Sequence, residues 1–250
     1  MQLEKGLVYG PVYSRRFRWD LGINLLPLDR KLCTFNCLYC QYGSTLPFRN
    51  DGFRFPSATQ IILEWCRKLD QCEANGIAIR HTTISGNGEP TMHPRFSSIL
   101  SRLVRWRDQN VPQIKLALLT NGYRIHDPAV REALCLVEEP ILKLDSAVAE
   151  KLREINRPLF PFALQQYLQD LKKCRRFIIQ TMFLKGYNDT ADDLDRWRQT
   201  LREIQPKEVQ IYTVSRTPAT PGLQPLGKEE LEGIAKETTA ILGLPVHPYT

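Results

Sequence analysis

Three of the chain's seven cysteines, Cys33, Cys37 and Cys40, fall within eight positions in "KLCTFNCLYCQYG" (31–43). Thiolates are soft ligands, and clustered cysteines hold zinc or iron–sulfur clusters. A structural zinc site is closed by four ligands. Here the next cysteine is Cys66 and the nearest histidine is His81, so nothing nearby closes the set. On a four-iron cluster, three cysteines leave one iron open to a small molecule, much as catalytic zinc differs from structural zinc. The alternatives are a zinc-binding loop or three unrelated thiols. Cys66, Cys72, Cys135 and Cys174 lie apart in helix-like stretches and read as idle thiols.

Other chemistry-bearing residues punctuate apolar runs. In "SGNGEP" (85–90), Gly86 and Gly88 permit close backbone approach and Glu89 supplies a carboxylate, although a plain turn has the same composition. "LLTNG" (118–122) offers Thr120 and Asn121, or a generic Asn-Gly turn. "LKLDS" offers Lys143 and Asp145 as ligand-binding groups or as an ion pair. Gln180 and Thr181 interrupt another apolar run, and Arg216 follows the last one, placed for a carboxylate or phosphate or for solvent. In "YSRRFRW" (13–19), Arg15, Arg16 and Arg18 alternate with Tyr13, Phe17 and Trp19, a mixture that suits single-stranded nucleic acid or, alternatively, a lid or first strand whose arginines pair with Asp20 or Asp29. "RLVRWR" (102–107) and "KKCRR" (172–176) are basic too, but near helix ends they serve equally as dipole partners.

These groups need elements to position them. Short apolar runs at 21–27, 81–86, 115–121, 140–146, 176–184 and 208–214 predict strands of a parallel sheet covered on both faces. Amphipathic helices separate them: Phe96, Ile99, Leu100, Leu103 and Val104 share one face, as do Leu194, Trp197, Leu201 and Ile204. Thr190 with Asp193 forms a capping-box pattern, and Leu231, Ile234, Ile241 and Leu242 mark a last helix. Six βα units predict an α/β fold, a partial (β/α)6 TIM-like barrel. The 29 residues 28–56 after the first strand are long for a loop, and they carry the cysteines at the strand end where barrel active sites sit.

With 250 residues, 42% of them hydrophobic, the chain reads as one globular domain over 1–250, with an N-terminal leader at 1–20 and a cluster-binding loop at 28–56. No apolar run approaches the ~20 residues of a membrane span, and "MQLEKGLVYG" lacks a secretory h-region. The expected location is cytoplasmic, without a membrane partner, where clustered thiols bind metal rather than pair. The net charge of +7 is compatible with a polyanionic partner.

The spacing C-x3-C-x2-C, with Tyr39 before the last cysteine, resembles the signature of the radical S-adenosylmethionine (SAM) superfamily. The resemblance implies a [4Fe-4S] cluster on Cys33, Cys37 and Cys40, with SAM chelating the fourth iron. Reductive cleavage of SAM would then give a 5′-deoxyadenosyl radical that abstracts hydrogen from substrate. It also implies SAM contacts from Tyr39, Gly86, Gly88, Glu89, Thr120, Asn121 and Asp145, and an electron donor such as flavodoxin or ferredoxin. "GPVYSRRFRWDLGINLLP", "SGNGEPTMHPRF", "FLKGYND" and "VQIYTVSRTPA" extend the likeness to the wyosine-base-synthase-related group, which makes a tRNA base a candidate substrate. Unlike wyosine synthases, the chain has no cysteine before Cys33 for a second cluster, reads "QYG" after Cys40, and offers no clear match for their pyruvate-binding lysine. The competing expectation is a non-catalytic iron–sulfur or zinc-binding protein. The residue that abstracts or guides hydrogen is not identifiable from sequence.

Overall fold

The structure, a computed structural model, describes residues 2–46 and 52–250, so positions 47–51 of the expected cluster-binding loop lie outside it. Its eight strands form one sheet in chain order: β1 (Val8–Ser14), β2 (Arg18–Ile23), β3 (His81–Ile84), β4 (Lys115–Thr120), β5 (Glu139–Lys143), β6 (Ile178–Met182), β7 (Glu208–Tyr212) and β8 (Val246–Tyr249). Strands β2 to β8 run parallel, and β1 pairs antiparallel with β2. The helices are α1 (Ala58–Ala74), α2 (Phe96–Asn110), α3 (Pro128–Leu134), α4 (Ala149–Asn156), α5 (Leu164–Leu171), α6 (Ala191–Ile204) and α7 (Lys228–Leu242). The six βα units are present, and the sheet curls into an open half-barrel.

Two strands exceed the expected six. The leader is no free arm: β1 and the start of β2 make a hairpin on the sheet edge. At the other edge the short β8 follows Pro245. The first parallel strand also ends earlier than the apolar run predicts. Asn24 turns back on Leu26, accepting from its N–H at 3.2 Å and donating to its carbonyl at 2.9 Å, and this local competition takes the chain out of the ladder.

Side chains alternate across each strand. The outward set, including Leu21, Ile23, Leu116, Leu118, Leu142, Ile179, Val209 and Ile211, is buried under the helices. Ser57 caps α1 and Thr190 caps α6, each with its capping box complete, and α6 starts where its sequence pattern places it. On the inner face Ala117, Ile141 and Ile178 form a small apolar floor. Phe17, from the turn between β1 and β2, packs against that floor and stacks on His81 with centroids 4.5 Å apart. Above the floor the inner face becomes polar, with Asp20, Thr83, Lys143 and Gln180 lining a cavity.

Candidate active site

The cavity, of about 510 Å³, opens among the C-terminal ends of the strands, and Cys33, Cys37 and Cys40 line it together. All three are free thiols. Their loop is held at both sides by backbone pairing. On one side Leu32 donates to the Asn87 carbonyl at 2.8 Å and accepts from Glu89 N–H at 2.9 Å, forming a parallel bridge to Gly88. On the other, Asn36 and Leu38 donate to the carbonyls of Asn156 and Ile155 at the end of α4. One short ladder therefore sets Cys33 relative to Glu89.

That ladder explains Gly88, and the Asn24 side chain explains Gly86. Gly86 and Gly88 both have positive φ, +136° and +137°. A Cβ on Gly88 would lie 1.8 Å from the Leu32 carbonyl oxygen, and one on Gly86 would lie 2.6 Å from Asn24 Oδ1. Close approach is needed by Gly88 to the protein's own cysteine loop and by Gly86 to the Asn24 side chain, while both residues also line the cavity.

Hydrogen-bond donors surround the sulfurs. Lys31 Nζ lies 3.1 Å from Cys40 Sγ and 2.6 Å from the Gly43 carbonyl. Asn156 Nδ2 is 3.4 Å from Cys37 Sγ, and Asn121 Nδ2 is 3.7 Å from Cys33 Sγ. Burial pushes the Cys33 thiol far up, with Glu89 and Cys37 adding to it, and pushes Cys37 up to about 11, with Asp145 adding. Such thiols stay protonated until a cation compensates them, and metal binding supplies that by displacing the protons. Among the described residues no group of three His, Cys, Asp or Glu side chains is arranged to hold a single metal ion. Three thiols are the soft donor set that suits an iron–sulfur group.

Glu89 is 2% exposed and lines the cavity. Its Oε1 accepts from Thr91 N–H (3.1 Å), Thr91 Oγ1 (2.6 Å) and Thr120 Oγ1 (2.6 Å), while Oε2 accepts from Asn121 N–H at 2.7 Å. Burial pushes its carboxyl up against these bonds. Oε2 keeps accepting capacity for a cationic donor. Thr120 and Asn121 thus orient Glu89, and Asn121 also bonds Thr34 Oγ1 at 2.8 Å.

Asp145, expected among the SAM contacts, is buried beside the cavity, where it accepts from Tyr39 OH, Asn156 Nδ2 (2.6 Å) and Met182 N–H (2.8 Å) and pairs with Lys143 Nζ at 3.1 Å. With its oxygens committed, it anchors Tyr39 and Asn156 against the cysteine loop. Lys143 lines the cavity, 4.9 Å from the Tyr39 ring centroid and 3.3 Å from Gln180 Oε1. Thr181 faces outward to Trp197 Nε1 and the Leu144 carbonyl. Arg216 lies at the cavity mouth, bonded to Gln41 Oε1.

The basic leader folds inward. Arg15 donates to the Tyr249 carbonyl (3.1 Å) and Ser215 Oγ (3.0 Å), and Arg16 to Gln210 Oε1 (3.2 Å). The hairpin turn thereby reaches β7 and β8 across the open side of the sheet. Arg18 and Trp19 remain exposed. Of the other basic clusters, Arg107 is buried between Asp108 and Glu138, and Lys172 and Lys173 pair with Glu203 and Asp170. Sequence reasoning missed Lys31 and Asn156, and read Asp20 only as a partner for the leader arginines. Lys31 stands beside the cysteines in the motif, but the Asn156 contact joins residues 119 apart and leaves no local signal.

The profile of the radical SAM superfamily matches residues 31–196. A UPF0026 protein of Synechocystis is 33% identical over 238 residues, covering 92% of this chain and 81% of that protein. The GTPase Obg of Brachyspira hyodysenteriae is 27% identical over 94% of this chain, which spans only 34% of that protein. The S-adenosyl-L-methionine-dependent tRNA 4-demethylwyosine synthase of Oryza sativa is 28% identical over 57% of this chain and 21% of its own length. Among solved structures, a radical SAM methyltransferase from Sphaerobacter thermophilus superposes with a TM-score of 0.70 at 14% identity, over 92% of this chain and 65% of its own, which speaks to the fold.

Proposed function

This chain belongs to the radical SAM superfamily, and from that premise we propose that it is one radical SAM domain in which Cys33, Cys37 and Cys40 hold one [4Fe-4S] cluster and Glu89 receives the amino group of SAM. When bound there, the cluster and SAM supply a 5′-deoxyadenosyl radical for hydrogen abstraction. The protein's part is to bind, orient and enclose. Lys31, Asn121 and Asn156 donate toward the sulfurs and temper their charge. Thr91, Thr120 and the Asn121 N–H fix Glu89 so that Oε2 is its open acceptor. Tyr39, held by Asp145 and Lys143, walls the cavity.

The observation that carries this reading is three free thiols and a buried carboxylate facing one cavity, tied together by the Leu32–Gly88 ladder. A closed structural metal site needs neither the cavity nor Glu89, which weighs against a non-catalytic iron–sulfur or zinc protein. Superfamily enzymes need a reductant, and flavodoxin or ferredoxin is the class we assign. The likeness to a tRNA 4-demethylwyosine synthase supports a tRNA base as substrate.

Anaerobic reconstitution followed by a SAM-cleavage assay tests the proposal. Wild type should take up about four irons per chain and cleave SAM under a chemical reductant, and alanine at any of the three cysteines should abolish both. Cleavage by Cys33→Ala, or a cluster retained in it, would contradict the assignment.

A further inference from the structure

Toward the base of the half-barrel the cavity continues past the groups assigned to the cluster and SAM. Asp20, on the inner face of β2, lines it and is 8% exposed. Thr83 Oγ1 donates to its Oδ2 at 2.7 Å, whereas Oδ1 has no hydrogen-bond partner among the described residues. An enclosed carboxylate oxygen without a donor is costly, and sites keep such groups for a ligand. Arg16 enters the same cavity from the hairpin turn, its guanidinium 5.2 Å from the Phe17 ring centroid and 5.4 Å from that of Tyr212. Among the described residues it makes one side-chain hydrogen bond, to Gln210 Oε1, of the five N–H donors a guanidinium carries. Arg16 and Asp20 sense each other's charge without pairing.

We propose that Asp20 and Arg16 are the substrate-reading pole of the cavity and recognise the edge of a nucleobase that carries an N–H beside a carbonyl. The N–H bonds Asp20 Oδ1 and the carbonyl oxygen bonds the Arg16 guanidinium. This rests on the reading of the cysteine end as the cluster and SAM site. Two observations favour a planar base. Arg16 lies over the rings of Phe17 and Tyr212, contacts that engage the face of its guanidinium and leave its N–H edge for a ligand. A cavity of about 510 Å³ shared with SAM admits one base extruded from its stack, not a helical segment. Lys143 and Gln180 complete the polar wall beside the pair.

The test uses anaerobically reconstituted protein with SAM bound, titrated with four ribonucleosides and glycine at millimolar concentration and followed by ligand-observed NMR. Guanosine and uridine carry the N–H beside a C=O and should bind more tightly than adenosine and cytidine. Asp20→Asn and Arg16→Gln should each weaken them roughly 10- to 100-fold, the loss of a charge-assisted hydrogen bond. A structural carboxylate behaves differently in a melting curve. Burial pushes Asp20 up to about 6 despite Thr83, Arg16 and His81, so removing its charge should raise Tm by roughly 4–8 °C at pH 8 and by less at pH 5. A purely structural Asp20 would instead give a lower Tm in Asp20→Asn. Glycine preferred over every nucleoside, absence of nucleoside binding, unchanged affinity in both variants, or a lowered Tm at pH 8 would each overturn the proposal. Failure of the wild type to take up a cluster or bind SAM would strike the underlying reading, and this one with it.

Discussion

Glu89 shows how one side chain serves two ends. It caps the short 3-10 turn Pro90–Met92 through Thr91 N–H, and it is joined to β4 through Thr120 and Asn121. Glu89→Gln keeps the shape but loses the charge, so SAM affinity of the cluster-loaded protein should fall roughly 10- to 100-fold. Glu89→Ala should also lower Tm, because four donors lose their acceptor at a buried site; equilibrium dialysis and a melt separate the two effects. Asp20 adds a pH dependence that a variant can isolate. Its folded carboxyl, pushed up from 3.8 to about 6 by burial, holds a proton more tightly than the unfolded chain does. Its stabilising contribution is therefore full below about pH 4 and is lost as pH rises through about 6, on the order of 2–3 kcal/mol in all. Urea midpoints of wild type minus Asp20→Asn, across pH 4 to 8, should trace that decline. At this scale the sequence displayed the actors more readily than their partners. Glu89 and the cysteines stood out by type and spacing, whereas the bond of Asp145 to Tyr39 joins residues 106 apart and left no local signal.

Two elements set the site's geometry, the Leu32–Gly88 ladder and the hairpin turn at Arg15–Phe17. The ladder brings backbone so close that a Cβ on Gly88 would strike a carbonyl oxygen, which cannot swing aside as a side chain can. Gly88→Ala should thus displace the cysteine loop and cut cluster incorporation by well over half, read from iron content and visible absorbance, while leaving helix content by circular dichroism near wild type. Normal cluster content in Gly88→Ala would show that the ladder does not position Cys33. The hairpin turn plugs the floor through Phe17 on His81, Ala117, Ile141 and Ile178. Phe17→Ala should cost about 2–3 kcal/mol, less than a fully buried phenylalanine because one side remains accessible; denaturant titration measures it. The glycines were visible in sequence as points of close approach, but what approaches them was not, since the partner strand lies more than fifty residues earlier. The hairpin was hidden for a related reason. "YSRRFRW" has the composition of a nucleic-acid grip, and only the curl of the sheet turns Arg15 and Arg16 toward β7 and β8.

For the molecule as a whole, six apolar runs sufficed for the half-barrel, because parallel strands buried on both faces are continuous in hydrophobicity. The two edge strands were the hardest to read: β1 contains Gly10 and Pro11 and was weighed only as one alternative for the leader, and β8 is the four residues Val246–Tyr249 with Pro248 inside, compositions that a central strand excludes. The cavity is a property of the closed arrangement, since Asp20, Glu89, Lys143 and Arg216 meet only when all strands are in place. The central claim is that three thiolates from one loop hold a cluster whose remaining iron is open to SAM. Electron paramagnetic resonance of the reduced, reconstituted protein, recorded with and without SAM, tests it most directly. The account predicts one [4Fe-4S] signal per chain whose line shape changes when SAM is added, and no such signal in Cys33→Ala, Cys37→Ala or Cys40→Ala. A signal indifferent to SAM, or one that survives loss of any of the three cysteines, would contradict it.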